Sequence, residues 1–288
     1  MIATFTLLAT LVTAPPVAAA ELATEFWQVT PERSEKAWVV AMPTEKSRAV
    51  LLIPGLHVHP IHASKATRPD RRPWQEPKSE LVKELAKDFD VFAFAYAQTV
   101  PVDVVPQLPG LRDAVVLLRK AGYKDIVLIG HSAGGLIARQ FVEQYPDSGV
   151  TKVIAVGSPF AGSEVAKIKV GYPKVQAPFV RSLTPEARIA AMKMNTHPLG
   201  QQVEFACVVC KLKRVESDGL VFIRSQWPDD LQRLGVPAVL ATVSHVDAMH
   251  HAETTKIIAK VAREKLARWA PAEVEKARTI LFGEPKMK

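Results

Sequence analysis

The sequence predicts an α/β fold in which a mostly parallel β-sheet is covered by helices on both faces. Predicted strands and helices alternate along the chain, and several strands are continuous apolar runs of the kind buried on both faces. The 288 residues are 48% apolar and 23% charged, which excludes disordered, collagen-like and coiled-coil chains. No internal repeat or low-complexity linker is present, which favours one domain.

Each element has its own local pattern. Arg48–Ile53 reads RAVLLI, and Leu81, Val82 and Leu85 form a helical stripe. The predicted strands are Glu25–Thr30, Ala37–Met42, Arg48–Ile53, Val91–Ala97, Asp125–Ile129, Lys152–Val156, Val203–Leu212 and Ala238–Val243. The predicted helices are Ser79–Lys87, Leu111–Ala121, Leu136–Gln144 and Ala252–Arg268. This alternation predicts crossover connections between parallel strands.

The segment Phe160–Gly200 interrupts the rhythm with proline, lysine, methionine and short helical pieces. Insertions of this length between sheet elements are usually functional. We expect a lid or cap over about residues 160–200 that covers acyl chains, and simple packing over the sheet is the alternative. The apolar residues that suggest this amphipathic lid are Phe179, Leu183, Ile189, Met192 and Met194.

The first twenty residues predict a removable signal peptide. Met1–Ala20 has no charged side chain, and an apolar stretch over Ile2–Val12 is followed by two prolines and three alanines. Small residues at the end of such a stretch suit cleavage near Ala20, with export to the periplasm or the medium. A membrane anchor is the alternative, but the apolar run is shorter than the ~20 residues that span a bilayer. The mature domain would then be residues 21–288.

The motif that carries chemistry is Gly130-His-Ser-Ala-Gly134, which fits G-x-S-x-G. It follows a predicted buried strand and opens a predicted helix, which is the setting of a nucleophile elbow. Residues two before and two after the serine approach each other at such a turn, so side chains at Gly130 and Gly134 would clash. The motif therefore predicts Ser132 as a nucleophile lifted clear of the sheet, at the positive end of a helix.

With this motif the chain resembles the α/β-hydrolase superfamily, and in particular its bacterial lipase-like branch. The resemblance covers most of residues 48–260. It is carried by Ile53-Pro-Gly-Leu56, Gly130-His-Ser-Ala-Gly-Gly135, Gly157-Ser-Pro-Phe-Ala-Gly-Ser163, Ser217-Asp-Gly-Leu-Val221 and His245-Val-Asp247. These lipases usually have His-Gly where this chain has Pro54-Gly55, a departure that keeps the glycine and the main-chain donor after it. The resemblance implies an α/β-hydrolase fold and the catalytic order Ser, Asp, His.

A serine hydroxyl needs a base that accepts its proton. His245 follows the last predicted strand and is the expected base, with His250 or His251 as alternatives. His131 is adjacent to the nucleophile, but we expect it to point away because successive residues at a turn diverge.

The base needs an acid that orients it. Asp218 precedes a glycine in a tight turn after the insertion and is the expected acid, whereas Glu164 is the rival. Asp229 and Asp230 are predicted to cap a helix or to form a surface pair.

The oxyanion hole should consist of two main-chain N–H groups, those of Leu56 and Ala133. Leu56 follows the end of a strand expected beside the nucleophile strand, and Ala133 follows the nucleophile itself. Because the donors belong to the main chain, we expect side-chain substitutions at these two positions to have small effects.

No metal ion or cofactor is predicted. In the lipases an aspartate at the place of Asp247 helps bind calcium, but the matching upstream aspartate is not evident here. His57, His59 and His62 with Asp70 lack a partner metal motif, and we expect them to line the mouth of the active site.

Cys207 and Cys210 form C-x-x-C, but within a predicted strand they face opposite sides at ~10 Å, beyond disulfide reach. We therefore expect two buried free thiols.

The formal net charge is +8, and the run Arg68-Pro-Asp-Arg-Arg-Pro73 is basic. This predicts either peripheral contact with an anionic lipid surface or a solvated loop. No nucleic-acid module accompanies the charge, so no nucleic-acid partner is expected, and the oligomeric state is not predicted.

These motifs together predict a serine hydrolase that cleaves carboxylic esters, lipid-like or otherwise apolar, through an acyl-enzyme on Ser132. An acyltransferase or thioesterase on the same fold is one alternative. A hydrolase fold reused for binding a small molecule is another.

Overall fold

The computed structural model describes residues 22–30, 46–59, 62–168 and 171–283. The predicted signal peptide and the predicted strand Ala37–Met42 lie outside these residues. One seven-stranded sheet has the strand order β1-β3-β2-β4-β5-β6-β7. Its strands are β1 (Thr24–Thr30), β2 (Arg48–Ile53), β3 (Asp90–Tyr96), β4 (Asp125–His131), β5 (Val150–Val156), β6 (Glu204–Cys210) and β7 (Ala238–Ala241).

The sheet is mostly parallel, as predicted. Only the β1–β3 pair at one side is antiparallel, and every other neighbouring pair is parallel. In the central β2–β4 pair, Ile53 lies opposite Gly130. The loops that follow these two strands therefore leave the same edge of the sheet side by side.

Helices cover both faces of the sheet. The α-helices are α1 (Ala63–Ala66), α2 (Glu80–Leu85), α3 (Pro109–Lys120), α4 (Ala133–Gln144), α5 (Ala177–Arg181), α6 (Pro185–Met194), α7 (Ile223–Gln226), α8 (Asp229–Arg233), α9 (Ala252–Arg263) and α10 (Pro271–Phe282). Buried residues of α3, α4 and α10 share one core with Leu51, whereas those of α2 and α9 share the other with Leu52. Within the described ranges, no helix is long and apolar enough to cross a membrane.

The C-terminal helix is shorter than predicted. It ends at Arg263 instead of Arg268, because the main chain beyond it makes tertiary hydrogen bonds. The Leu266 N–H donates to Glu204 (2.9 Å), and the Trp269 N–H donates to the carbonyl of Gly235 (2.7 Å). These contacts turn the chain away from the helix axis, and α10, which the sequence analysis missed, follows.

The two cysteines are free and buried, as predicted. Cys207 packs in the core on one face of the sheet and Cys210 in the core on the other. Burial raises the pKa of both thiols, so neither is an activated thiolate.

The segment 160–200 lies between β5 and β6, and its parts differ in burial. Phe179 and Leu183 are buried. In α6, Ile189 is 51% exposed, and Met194, its last residue, is 81% exposed. The apolar residues named for the expected lid therefore do not share one buried face. Lid behaviour remains a prediction for this segment.

Candidate active site

The turn between β4 and α4 is a strained elbow centred on Ser132. Ser132 has φ 54° and ψ −125°, a left-handed φ that side chains rarely adopt. A Cβ on Gly130 would lie 2.3 Å from the carbonyl oxygen of Gly134, as the predicted clash requires. A Cβ on Gly134 would instead lie 2.2 Å from the carbonyl oxygen of Ile53, in the neighbouring strand. The elbow therefore needs glycine for two different reasons.

The Ser132 hydroxyl is available for chemistry. Ser132 occupies the N-cap of α4, yet its side chain makes no capping hydrogen bond. It lines a cavity of about 600 Å³ that is also lined by His245. The structure thus brings the predicted nucleophile and the predicted base to one cavity.

His245 is paired with Asp218. Its Nδ1 lies 2.7 Å from Asp218 Oδ2, and its main-chain N–H donates to the Asp218 carbonyl (2.8 Å). Since an ionised carboxylate only accepts hydrogen bonds, this pair places the imidazole proton on Nδ1 and leaves Nε2 with a free lone pair. Both residues are buried: Asp218 is 1% exposed and His245 is 7% exposed.

Asp218 is held by its own loop and by a glutamine. Its Oδ1 accepts from the N–H groups of Leu220 (3.0 Å) and Val221 (2.7 Å), and its Oδ2 also accepts from Gln226 Nε2 (3.1 Å). Gln226 is further fixed by Cys210, whose N–H donates to Gln226 Oε1 (2.7 Å). Sequence reasoning missed Gln226, because nothing local distinguishes a buried glutamine from a surface one.

Gly157, the first residue after β5, leaves space for this pair. It has φ 59°, and a Cβ there would lie 3.3 Å from Asp218 Oδ2 and 3.4 Å from His245 Nδ1. A larger residue would be strained in backbone and would press on the Asp–His hydrogen bond.

The alternative bases have other surroundings. His250 lines the cavity, and its main-chain N–H donates to the Asp247 carbonyl (2.8 Å). His251 occupies the N-cap of α9 and is exposed.

The alternative acids also have other partners. Glu164 pairs with Lys167 (2.8 Å) and is half exposed, and Asp230 pairs with Arg139 (2.5 Å). Asp229 and Asp230 lie in the first turn of α8, consistent with their predicted role at a helix start.

His131 does not point away from the site, and the prediction for it was wrong. Its ring centroid lies 4.9 Å from that of His245, and its Nε2 donates to the main-chain carbonyl of His245 (3.1 Å). The strand β4 continues through His131, which orients the side chain toward the neighbouring loop instead of letting it diverge. Burial, with the nearby His245, lowers the pKa of His131 to about 3, so it stays neutral near pH 7.

Two main-chain N–H groups are candidates for the predicted oxyanion hole. Gly55 packs against the elbow so closely that a Cβ on it would lie 2.5 Å from Ser132 Cβ. The next N–H, that of Leu56, has no acceptor across the described ranges. The Ala133 N–H is at the start of α4, where no preceding helical carbonyl can accept from it.

Three side chains clamp the loop that carries Leu56. Tyr96 donates to the Pro54 carbonyl (2.8 Å). Gln98 donates to the Gly55 carbonyl (2.8 Å) and accepts from the His57 N–H (2.8 Å). Gln176, from the segment 160–200, donates to the His57 carbonyl (2.8 Å). The loop conformation is therefore fixed from β3 and from the insertion, by residues that sequence reasoning missed.

The cavity is mainly apolar but has a polar side. Its apolar lining comes from the loop after β2, the segment 160–200 and the loop after β7. This lining includes Leu56, Val58, Trp74, Ile168, Leu183 and Met249. The polar side includes His57 and the buried Arg72.

Of the three histidines predicted to line the mouth of the active site, His57 lines the cavity, whereas His59 and His62 do not. His57 and His59 lie with ring centroids 4.6 Å apart. The Arg71 guanidinium stacks on the Trp27 ring at 4.1 Å, and Arg72 pairs with Asp70 (3.1 Å). These partners leave the expected contact with an anionic lipid surface to Arg68, and that contact remains a prediction. Among the described residues, no cluster of three His, Cys, Asp or Glu side chains suited to a metal ion occurs.

A comparison with protein families gives a match over residues 50–283 to the model of the alpha/beta hydrolase family. No curated protein sequence matches the chain.

Several solved structures share the fold. A lipase from Bacillus licheniformis in its mature form aligns with a TM-score of 0.58 at 13% identity, over 78% of this chain and 95% of that one. A metagenomic carboxyl esterase aligns with a TM-score of 0.52 at 12% identity, over 88% of this chain and 83% of that one. Phospholipase PlaB from Legionella pneumophila aligns with a TM-score of 0.56 at 14% identity, over 81% of this chain and 63% of that one. At these identities the likeness establishes the fold.

Proposed function

This chain belongs to the alpha/beta hydrolase family, and from that premise we propose that it hydrolyses carboxylic esters through an acyl-enzyme on Ser132. The observation that carries the proposal is the 2.7 Å contact between His245 Nδ1 and Asp218 Oδ2, beside a cavity that Ser132 and His245 both line. The lipase and carboxyl esterase among the structural neighbours agree with this reaction class.

In the first half-reaction, Ser132 Oγ attacks the ester carbonyl carbon and its proton passes to His245 Nε2. Asp218 stabilises the imidazolium that forms. The carbonyl oxygen becomes an oxyanion that accepts hydrogen bonds from the Leu56 and Ala133 N–H groups. The tetrahedral intermediate then breaks its bond to the alcohol oxygen, which takes the proton from His245 and leaves.

In the second half-reaction, water replaces the alcohol. His245 takes a proton from water as its oxygen bonds to the acyl carbon, and the oxyanion is held by the same two N–H groups. Collapse of this intermediate breaks the bond to Ser132 Oγ, which regains its proton from His245. The carboxylic acid leaves and the free enzyme is restored.

The apolar lining supports an apolar acyl or alcohol group in the substrate. A cavity of about 600 Å³ accommodates a ligand of moderate size, with burial of its apolar surface contributing roughly 25 cal/mol per Å². Tyr172 and Ile168 extend this lining from the segment 160–200. A lipid-like ester fits this chemistry.

A p-nitrophenyl ester series from acetate to palmitate tests the proposal. We expect hydrolysis by the wild type and a loss of at least about 10³-fold in Ser132→Ala, since nucleophile removal leaves only binding and the oxyanion hole. A fluorophosphonate probe should label the wild type but not Ser132→Ala.

The matched control is Ser163→Ala, which changes another serine of the same cavity. This variant should still be labelled at Ser132. Labelling that persists in Ser132→Ala would contradict the assignment of the nucleophile. Product analysis with an added alcohol distinguishes hydrolysis from acyl transfer.

Asp218→Asn tests the acid. Asparagine keeps the shape of the side chain but offers an amide in place of a carboxylate, so the imidazolium loses its partner. We expect kcat to fall by about 10⁴-fold with little change in fold, as measured by ester hydrolysis and circular dichroism. Activity within tenfold of the wild type would remove Asp218 from the mechanism.

A further inference from the structure

Arg72 is a buried cation in a cavity whose lining is mainly apolar. It is 9% exposed and lines the same cavity as Ser132 and His245. Its only ion pair among the described residues is with Asp70, through Nη1 and Oδ2 at 3.1 Å. The side chain of Asp70 is 50% exposed, whereas that of Arg72 is 10% exposed. The guanidinium is thus much less solvated than its carboxylate partner.

The guanidinium has donors to spare. It carries several N–H groups and no acceptor. The ion pair with Asp70 is also the only guanidinium hydrogen bond found within the described ranges, since the second contact near it, from the Arg72 N–H to Gln75 Oε1 (2.8 Å), is made by the main chain. None of the guanidinium nitrogens is among the fully buried side-chain atoms without a partner, so the free donors are accessible from the cavity. A ligand that displaces water there has to supply an acceptor, because a charge removed from water is expensive unless it is paired and hydrogen-bonded.

The rest of the lining offers no such acceptor. None of the described residues that line the cavity is an aspartate or glutamate. Burial and the charge of Arg72 lower the pKa of His57, and burial lowers that of His131 to about 3. Both shifts disfavour a second positive charge beside Arg72, which is the permanent cation of this lining.

We propose that the cavity selects esters that carry an anionic group, a carboxylate, which Arg72 binds while the apolar lining holds the rest of the molecule. This inference rests on the proposed ester hydrolysis and names its substrate class. Arg72 acts here as a specificity residue, since it binds the substrate away from the carbonyl that reacts. Arginine suits this task because its planar donors match a carboxylate in pairs.

Two pairs of esters test the proposal and locate the anion. Mono-p-nitrophenyl adipate and p-nitrophenyl hexanoate differ by a carboxylate on the acyl side, whereas 4-carboxyphenyl hexanoate and phenyl hexanoate differ by one on the alcohol side. The measured quantity is the ratio of kcat/KM for the anionic ester to that for the neutral ester. Comparing this ratio between wild type and variant cancels the intrinsic reactivity of each ester.

In Arg72→Gln we expect the ratio to fall at least about tenfold in one of the two pairs, the scale of a charge-assisted hydrogen bond. Hydrolysis of the neutral ester should change much less. Arg72→Lys keeps the charge and should retain part of the ratio. Asp70→Asn removes the ion-pair partner but keeps the cation, so its ratio should equal or exceed that of the wild type. A ratio that Arg72→Gln leaves unchanged in both pairs would falsify the proposal.

Binding to the unreactive Ser132→Ala variant tests the recognition of the carboxylate separately from ester hydrolysis. Calorimetry with Ser132→Ala should show tighter binding of monomethyl adipate than of methyl hexanoate if the acyl side carries the anion, or of 4-hydroxybenzoate than of phenol if the alcohol side does. This preference should be lost in Ser132→Ala/Arg72→Gln. If neither ester of either pair is hydrolysed in a Ser132-dependent way, the proposed function fails instead. If Arg72→Gln loses the circular dichroism spectrum of the fold, Arg72→Lys takes its place in both measurements. A ratio that Arg72→Lys retains in part or in full supports the role of charge. Wild-type-like binding of methyl hexanoate with no preference for monomethyl adipate overturns it.

Discussion

The two loops that leave the centre of the sheet are held in place by opposite means. The elbow after β4 is shaped by main-chain sterics: Ser132 has a left-handed φ, and Gly130 and Gly134 admit contacts that no Cβ would allow. The loop after β2 is shaped by side chains that come from elsewhere, those of Tyr96, Gln98 and Gln176.

The two loops of the candidate site are therefore positioned in different ways. At the elbow, Gly130 lies close to Gly134 and Gly134 lies close to the Ile53 carbonyl of β2, so main-chain contacts shape the turn. The loop held by glutamine side chains depends on the end of β3 and on the segment 160–200 for its position. Since the Leu56 N–H belongs to the second loop, the proposed oxyanion hole joins a half shaped by main-chain contacts to a half held by side chains.

The largest effect should come from Gly134→Ala. The added Cβ would meet the Ile53 carbonyl oxygen at 2.2 Å, and neither main-chain group can move aside without shifting β2 or α4. We expect the free energy of unfolding to fall by more than about 3 kcal/mol, or the fold to be lost, as measured by chemical denaturation.

The control for this substitution is Gly122→Ala. Gly122 has φ 96°, and a Cβ added there would meet nothing within 4 Å, so the substitution brings backbone strain without a clash. We expect a cost of about 1 kcal/mol there. If the two substitutions cost the same, sterics at the elbow are not what fixes it.

Gln98→Ala should have the next largest effect, on the other loop. It leaves the buried Gly55 carbonyl and the part-buried His57 N–H without their partner. We expect a loss of about 2 kcal/mol in stability and a fall of tenfold or more in kcat, because an oxyanion donor shifts with the loop.

Gln107→Ala provides the matched comparison. Gln107 also donates to a main-chain carbonyl, that of Asp103 (2.8 Å), but on the surface and away from the cavity. It should leave kcat at the wild-type value. A kcat for Gln98→Ala equal to that of Gln107→Ala would show that the loop keeps its position without the clamp.

His131, which precedes Ser132 at the elbow, makes the free energy of unfolding depend on pH. Its pKa is about 3 in the folded protein, against an ordinary value of 6.5. Between these values the unfolded chain binds more protons, so the free energy of unfolding decreases as pH falls from 6.5 toward 3. In His131→Gln this decrease should be smaller by on the order of 1 kcal/mol between about pH 6.5 and pH 5. Denaturant titrations at the two pH values measure it, and an unchanged decrease would contradict a buried neutral His131.

Leu56→Ala should have the smallest effect on chemistry. The substitution shortens a side chain that lines the cavity but keeps the main-chain N–H and its clamp. We expect kcat to change by less than about tenfold, while KM for long acyl esters rises because apolar contact is lost. A loss of about 10²-fold in kcat would show that the side chain itself positions the donor.

Much of the fold could be predicted because its signals are local. The buried runs of β2 and β4 and the stripe of α2 follow from residue patterns. The bounds of β2 are those predicted, and the bounds of β4 and α2 differ from prediction by at most two residues. The prediction for the C-terminal helix was wrong about its end, because hydrogen bonds to Glu204 and Gly235 stop it at Arg263. No local pattern contains that information.

Some residues of the candidate site could also be predicted from local sequence, and others could not. Ser132, Asp218 and His245 carry motifs or turn positions that can be recognised one at a time, and the structure brings the last two into contact. His131 was misjudged because its direction depends on how far β4 continues. Gln226 and Gln98 were missed because a buried glutamine has no sequence pattern of its own.

The sequence by itself determined the alternation of strands and helices and the close approach of Gly130 to Gly134, since that contact acts through sterics within five consecutive residues. Only the tertiary structure decided which polar side chains hold the loop after β2 and where Arg72 is buried. Those outcomes depend on contacts between segments far apart in the chain, and a buried hydrogen bond is specified by both partners together instead of by either one.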